Sequence, residues 1–237
     1  MTQPEDAESG ISRRRAHAQG SKKRNYAHRR AEIITAAAEL FRRNGYQSTS
    51  LAQIAEAIGT DRASLYYYFS SKEEVFDIIV TDVVERNLTI AEGIRDSEGS
   101  AVDKLHRVTN QLMTSYAENF PFLYIYLQEN MAQISGKRQA WADRMRAVNR
   151  RYERAIGEMI QQGLDEGTIK AVAPAWVIAN GLMGMVSWTN RWFNPQTSSV
   201  SAAEIGAAYA EILLTGIVKS AAMAELDGHD GSRREKK

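Results

Sequence analysis

The sequence predicts an all-α protein, with an N-terminal three-helix unit followed by a larger helical domain. Apolar residues recur at the helical period along almost the whole chain. Two helix-start signatures stand close together, Ser50 with Gln53 and Ser71 with Glu74, in the spacing of reciprocal caps. No hairpin signal, internal repeat or alternation of strand with helix competes with this reading.

Ile33, Ala37, Leu40 and Phe41 form one face of a first helix, which should end near Asn44-Gly45. Leu51, Ile54, Ala55 and Ile58 give the next helix, opened by Ser50 and closed by Gly59. A short helix from about Arg62 to Tyr68 turns Leu65 and Phe69 inward. Ser71 opens a helix with Val75, Phe76, Ile79 and Val83 on one face. Further helices are expected over 102–117, 120–135, 139–163, 174–193 and 202–226. Phe120 to Leu127 has strand propensity, but Asn119 as a cap and Pro121 in the first turn decide for helix.

The chain has 237 residues, 43% apolar and 25% charged, enough to bury a core without disulfides or metals. The absence of cysteine excludes disulfides, thiolate metal sites and cysteine nucleophiles, and fits a cytoplasmic protein. The net charge of +1 hides an asymmetry: residues 13–30 hold eight Arg or Lys and no acid. That stretch has no apolar periodicity and no apolar centre, so residues 1–25 are expected to be a disordered basic arm and not a secretory signal. The arm is either a solubilising tail or a follower of a phosphate backbone. A helix-turn-helix domain is expected over 26–70, a ligand-binding and dimerisation domain over 71–220, and a flexible tail over 221–237. Ala171 to Asn190 has no charge over twenty positions, but its Pro174, Asn180, Ser187, Thr189 and Asn190 favour a buried or interfacial helix over a membrane span.

Leu51 to Phe69 reads as helix, glycine turn, short helix, the arrangement whose second helix enters the DNA major groove. Ala55 is small where the helices cross, and Gly59 tolerates a positive φ in the turn. Asp61, Arg62, Ser64 and Tyr67 remain for the outer side. Arg62 can read guanine bidentately, and Ser64 can meet either a base or phosphate. The hydroxyls of Tyr66, Tyr67 and Tyr68 and the ammonium of Lys72 can hold phosphates. Thr49 and Ser50 are either caps or phosphate contacts, since a helix N-terminus can serve both ends.

The stretch Ser48 to Phe76 closely resembles the DNA-binding domain of the TetR family of bacterial regulators. It matches the family pattern at Thr49, Ile54, Ala55, Gly59, Leu65, Tyr66, Phe69, Ser71, Lys72 and Glu73. It departs at Asp61, where serine is usual, at Ala63, where glycine is common, and at Tyr68, where histidine is common. An acid at Asp61 would favour a cytosine amino group over phosphate. The resemblance implies a homodimer on a palindromic double-stranded operator, a small effector, and no membrane partner.

The remaining chain offers methionines and aromatics for an adaptable apolar cavity, among them Met113, Tyr116, Tyr124, Met145, Tyr152 and Trp188. Arg191, beside Trp188 and Trp192, could receive an anionic ligand group. Ala179, Gly181 and Gly184 let a partner helix approach closely, so the last two helices could form a four-helix dimer interface. The run Gly184 to Pro195, with Ala202 to Gly216, looks like one TetR branch, whose regulators of fatty-acid and sterol-fragment catabolism release DNA on binding acyl-CoA thioesters. That likeness implies an acyl group among the aromatics and Arg191 facing the CoA moiety. Another hydrophobic effector, or binding to DNA without any ligand, are the alternatives. No phosphate loop, nucleophile elbow or dinucleotide fingerprint is present, and His17, His28, His106 and His229 stand apart, so neither an enzyme nor a cofactor or metal site is expected.

Overall fold

The computed structural model describes residues 5–129, 131 and 133–215, with side chains from Arg24 onward. The elements are α1 (Glu5–Asn44), α2 (Leu51–Ala57), α3 (Arg62–Tyr66), α4 (Lys72–Asp96), α5 (Ala101–Glu118), α6 (Phe122–Gln128), α7 (Gln139–Asp165), α8 (Ala175–Trp188) and α9 (Ala202–Thr215). Short 3-10 turns at Gly136–Arg138 and Thr189–Arg191 complete them, and no strand occurs among the described residues. No described helix is long and apolar enough to cross a membrane.

The first helix corrects the sequence reading. Its backbone begins at Glu5, so the segment expected to be a disordered arm continues α1. No proline interrupts the chain between Pro4 and Asn44, and alanine, lysine and arginine are good helix formers. The expected helix over 120–135 is also shorter. Asn119 is the C-cap of α5, Pro121 precedes α6, and Glu129 is extended (φ −68, ψ 126). The expected extension of α9 to 226 and the tail over 221–237 lie outside the described residues.

The chain divides between Asp82 and Val83 into two compact units, further along than the expected boundary at 70/71. The reason is the start of α4, which belongs to the N-terminal core. Phe76 is buried with its ring 4.7 Å from that of Tyr46, and Ile33, Phe41, Ile54, Leu65 and Phe69 of the same unit are buried as well. Each fully buried side chain of this size contributes about 1.5–3 kcal/mol. Ser50 accepts from Gln53 N while Gln53 Oε1 accepts from Ser50 N at 2.8 Å, which starts α2. Gly59 takes φ +64 in the turn to α3, a conformation that a side chain would strain.

In the C-terminal unit α5 packs most extensively on α9, and also on α7 and α8. The α5–α9 approach depends on Gly206, where an added Cβ would lie 2.6 Å from Asn110 Oδ1 and 3.0 Å from Asn110 Cα. Arg144–Glu85, Arg151–Glu92 and Arg95–Glu158 ion pairs run between α7 and α4 at 2.6, 2.8 and 3.0 Å. They lie at the surface, so the buried Leu105, Met113, Met145, Ile156 and Leu182 contribute more to stability than they do.

Candidate nucleic-acid interface and effector cavity

The five residues of α3 present one exposed face and one buried side chain, Leu65. Arg62 and Tyr66 stand one turn apart on that face. Arg62 Nη2 donates to Tyr66 Oη at 2.8 Å, and the guanidinium lies 5.3 Å from the Tyr66 ring. Tyr67 is 73% exposed. Asp61 is the N-cap of α3, accepting from Ser64 N and Ser64 Oγ, both at 2.7 Å. Those bonds hold its carboxyl below the usual carboxylate range. The structure thus gives Asp61 a capping duty that the serine of the family pattern could also perform, and it ties Ser64 back towards the cap.

Two residues expected to contact phosphate have their partners within the fold. Thr49 is 1% exposed, and its hydroxyl donates to Gly45 O at 2.9 Å and Leu40 O at 3.4 Å. It fastens the α1–α2 turn from inside. Lys72 Nζ donates to Tyr46 O, Gln47 O and Thr49 O at 2.9, 3.1 and 3.0 Å, above the Tyr46 ring at 4.6 Å. Each ammonium N–H is therefore used on a carbonyl of the same turn. Ser50 remains exposed, with its hydroxyl in the cap of α2.

The sequence reading missed residues of α1. Tyr26 stacks on Tyr68 with centroids 5.0 Å apart and meets Tyr67 edge-on at 5.8 Å, and Tyr67 meets Tyr68 at 5.1 Å. Tyr68 is thereby half-buried in a ring cluster and less free for phosphate than Tyr67. Arg29 Nη2 donates to Ile58 O at 3.2 Å, and Arg30 lies 4.9 Å from the Phe69 ring, so two cations of the basic stretch hold the fold. Tyr26→Ala should lower stability by about 0.5–1.5 kcal/mol in urea unfolding, while Tyr26→Phe, which keeps the ring, should not.

The C-terminal unit holds a cavity of about 90 Å³ between α4, α5, α6, α7 and α8. Of the expected ligand residues, Tyr116 and Tyr152 line it. Met113 and Met145 are fully buried core outside its wall, and Tyr124 lies beside Phe120, with ring centroids 5.7 Å apart. Trp188 and Arg191 are exposed and paired with each other, the guanidinium 4.5 Å from the indole, so they do not reach this cavity. The wall also includes Val84, Asn87, Asn149, Met183 and Ser187, and no charged residue. The missed Asn87 did carry a signal, because it falls on the apolar face with Val83, Val84, Leu88 and Ala91. Burial pushes the Tyr116 hydroxyl up to about 12, and raises Tyr152 and Tyr126 as well, although Asn149 opposes the shift of Tyr126. All three phenols are neutral at physiological pH.

Trp176 is 68% and Trp188 60% exposed on α8, a helix without any charged residue. Asn180, Gly181 and Gly184 are exposed between them, and α9 exposes Ala207, Ala208 and Ile212. This is a broad apolar face on the C-terminal unit.

Residues 33–79 match the bacterial regulatory proteins of the tetR family, and residues 98–217 match the tetracyclin repressor-like C-terminal domain. The HTH-type transcriptional repressor KstR2 of Mycobacterium tuberculosis is 24% identical over 191 residues, covering 81% of this chain and 94% of the repressor. The crystal structure of a TetR/AcrR-family transcriptional regulator from Thermobifida fusca superposes with a TM-score of 0.69 at 30% identity, covering 81% of this chain and all of that one. AibR, solved in complex with isovaleryl coenzyme A and operator DNA, shares the fold at a TM-score of 0.63 and 22% identity, over 78% of this chain and 98% of that one. The family consists of DNA-binding transcription regulators, not enzymes. With family models matched over both the helix-turn-helix and the C-terminal helices, and a solved TetR/AcrR-family regulator 30% identical over 81% of it, the chain belongs to the TetR family of bacterial regulatory proteins.

Proposed function

We propose that the protein is a homodimeric repressor that binds a palindromic operator and leaves it when an acyl-CoA thioester occupies the C-terminal cavity. Arg62 reads a base, Ser64, Tyr66 and Tyr67 contact base edges or phosphate, and Ser50 offers a phosphate contact at the start of α2. Arg62 gives one N–H to Tyr66 and keeps the others for guanine. The carrying observation is the continuity of α4, which starts at Lys72 in the N-terminal unit and places Val84 and Asn87 in the cavity wall. A ligand in the cavity bears on the same helix that holds the α1–α2 turn. It need only favour the DNA-incompetent state tenfold to contribute about 1.4 kcal/mol of coupling. The repressor sign and the thioester class draw on the likeness to KstR2 and AibR, and the apolar face of α8 and α9 supplies the dimer contact.

Fluorescence anisotropy on DNA upstream of the protein's own gene, at fixed salt, tests this. Wild type should bind that DNA about a thousandfold or more tighter than random DNA, and a thioester should release it while free CoA does not. Arg62→Ala should lose about 1–3 kcal/mol on the operator and little on random DNA. Equal losses on both would remove Arg62 as a base reader.

A further inference from the structure

The cavity's hydrogen bonding fixes what kind of group it can hold. Its three tyrosines direct their protons into the protein: Tyr116 to Phe193 O at 3.4 Å, Tyr126 to Asn149 Oδ1 at 3.0 Å, and Tyr152 to Gln111 Oε1 at 3.4 Å. Gln111 Nε2 in turn donates to Asn87 Oδ1 at 3.0 Å, and Ser115 Oγ donates to the same oxygen at 2.8 Å. Both acceptor sites of Asn87 are thus filled, and its Nδ2 has no partner among the described residues. Asn149, only half-buried, likewise has its oxygen taken by Tyr126 and its amide nitrogen without a described partner. The wall therefore presents amide donors and no cation. A carbonyl oxygen suits it, whereas a carboxylate would be buried without a counter-charge.

Volume limits the rest of the group. About 90 Å³ is less than the ~150 Å³ of a cavity that holds benzene. In proportion to that six-carbon ring the cavity admits about four carbons, the branched end of a short acyl group and not a long chain or sterol fragment. A second hollow of about 250 Å³ shares Asn87 with the cavity and is lined by Arg86, Asn110, Glu118 and Asn119 together with Val83 and Ile90. There Asn110 Oδ1 is buried without a partner. Asn87 thus stands where the cavity meets this hollow.

We infer that the effector is a short-chain acyl thioester whose acyl group fills the cavity and whose carbonyl oxygen accepts from Asn87 and Asn149, the polar remainder leaving through the hollow beside Asn87. This rests on the thioester reading above and names its chain length and its recognition residues.

Isothermal titration of the full chain with acetyl-, isobutyryl-, isovaleryl- and octanoyl-CoA and free CoA, with operator release measured alongside, is the test. Isobutyryl- or isovaleryl-CoA should bind about tenfold or more tighter than octanoyl-CoA. Asn87→Leu and Asn149→Leu should each weaken that binding about tenfold or more, and ligand-free melting curves separate loss of a donor from loss of the fold. Val186→Ala, which enlarges the cavity, should move the optimum to a longer chain, a gain that misfolding cannot imitate. Equal binding of octanoyl- and isovaleryl-CoA, or unchanged binding by both asparagine variants in folded protein, overturns the inference and leaves the thioester reading standing. An operator-bound protein that takes up no thioester overturns both.

Discussion

Gly184→Arg should give a folded monomer that binds the operator about a thousandfold more weakly than wild type, as far as losing specific binding takes it. A Cβ at Gly184 would meet nothing within 4 Å, so the protomer has room for the side chain. Within α8 the change also removes a poor helix former, worth about 0.8–1 kcal/mol in favour of the helix. The damage falls on whatever covers the face between Trp176 and Trp188. A two-fold interface brings each residue of that face near its own copy or a neighbour of it, so a single arginine enters twice, bulky and charged, into an apolar contact. A reading head of five helical residues cannot hold an operator alone, because half-site contacts supply only about half of the specific free energy. Sedimentation velocity and anisotropy on the same sample check both parts. A variant that stays dimeric, or a monomeric wild type, would remove α8 from the interface.

The helix-turn-helix was legible because its signals are local. Capping pairs, a glycine turn and apolar spacing placed α2 and α3 within a few residues, and the reading of Leu65 and Phe69 as buried agrees with the structure. What the sequence could not convey is direction. A threonine before a helix and a lysine at the start of the next read equally well as phosphate ligands or as clamps, and Thr49 and Lys72 turn inward to backbone carbonyls. Direction also decided which residues line the cavity. Methionines and aromatics at helical spacing announced a core, but which of them border a void depends on how five helices meet. Trp188 and Arg191 look outward, while Asn87, a polar residue on an apolar face, looks in. The first helix misled for a different reason: charge density argued for disorder, whereas helix propensity without a proline carries the backbone of α1 back to Glu5.

Lys72→Met separates the two roles of that lysine most sharply. The substitution keeps most of the aliphatic stem above Tyr46 and deletes the ammonium, so Tyr46 O, Gln47 O and Thr49 O lose one donor group together. Hydrogen bonds to a charged donor are worth about 1.5–3 kcal/mol, and water can partly replace them at this half-buried site, so a loss of about 2 kcal/mol is expected in urea unfolding. The turn between α1 and α2 also sets the position of Ser50, so weaker DNA binding should follow from the same loosening. The salt dependence distinguishes this from a lost phosphate contact. A lysine that neutralises a phosphate lowers the salt slope by about one when removed and leaves stability alone. Lys72 as a clamp should do the opposite, lowering stability while the slope of log K against log salt stays at the wild-type value under conditions where the variant is folded. A reduced slope with unchanged unfolding would return Lys72 to the DNA, and would mean that the ammonium leaves its carbonyls when a phosphate arrives.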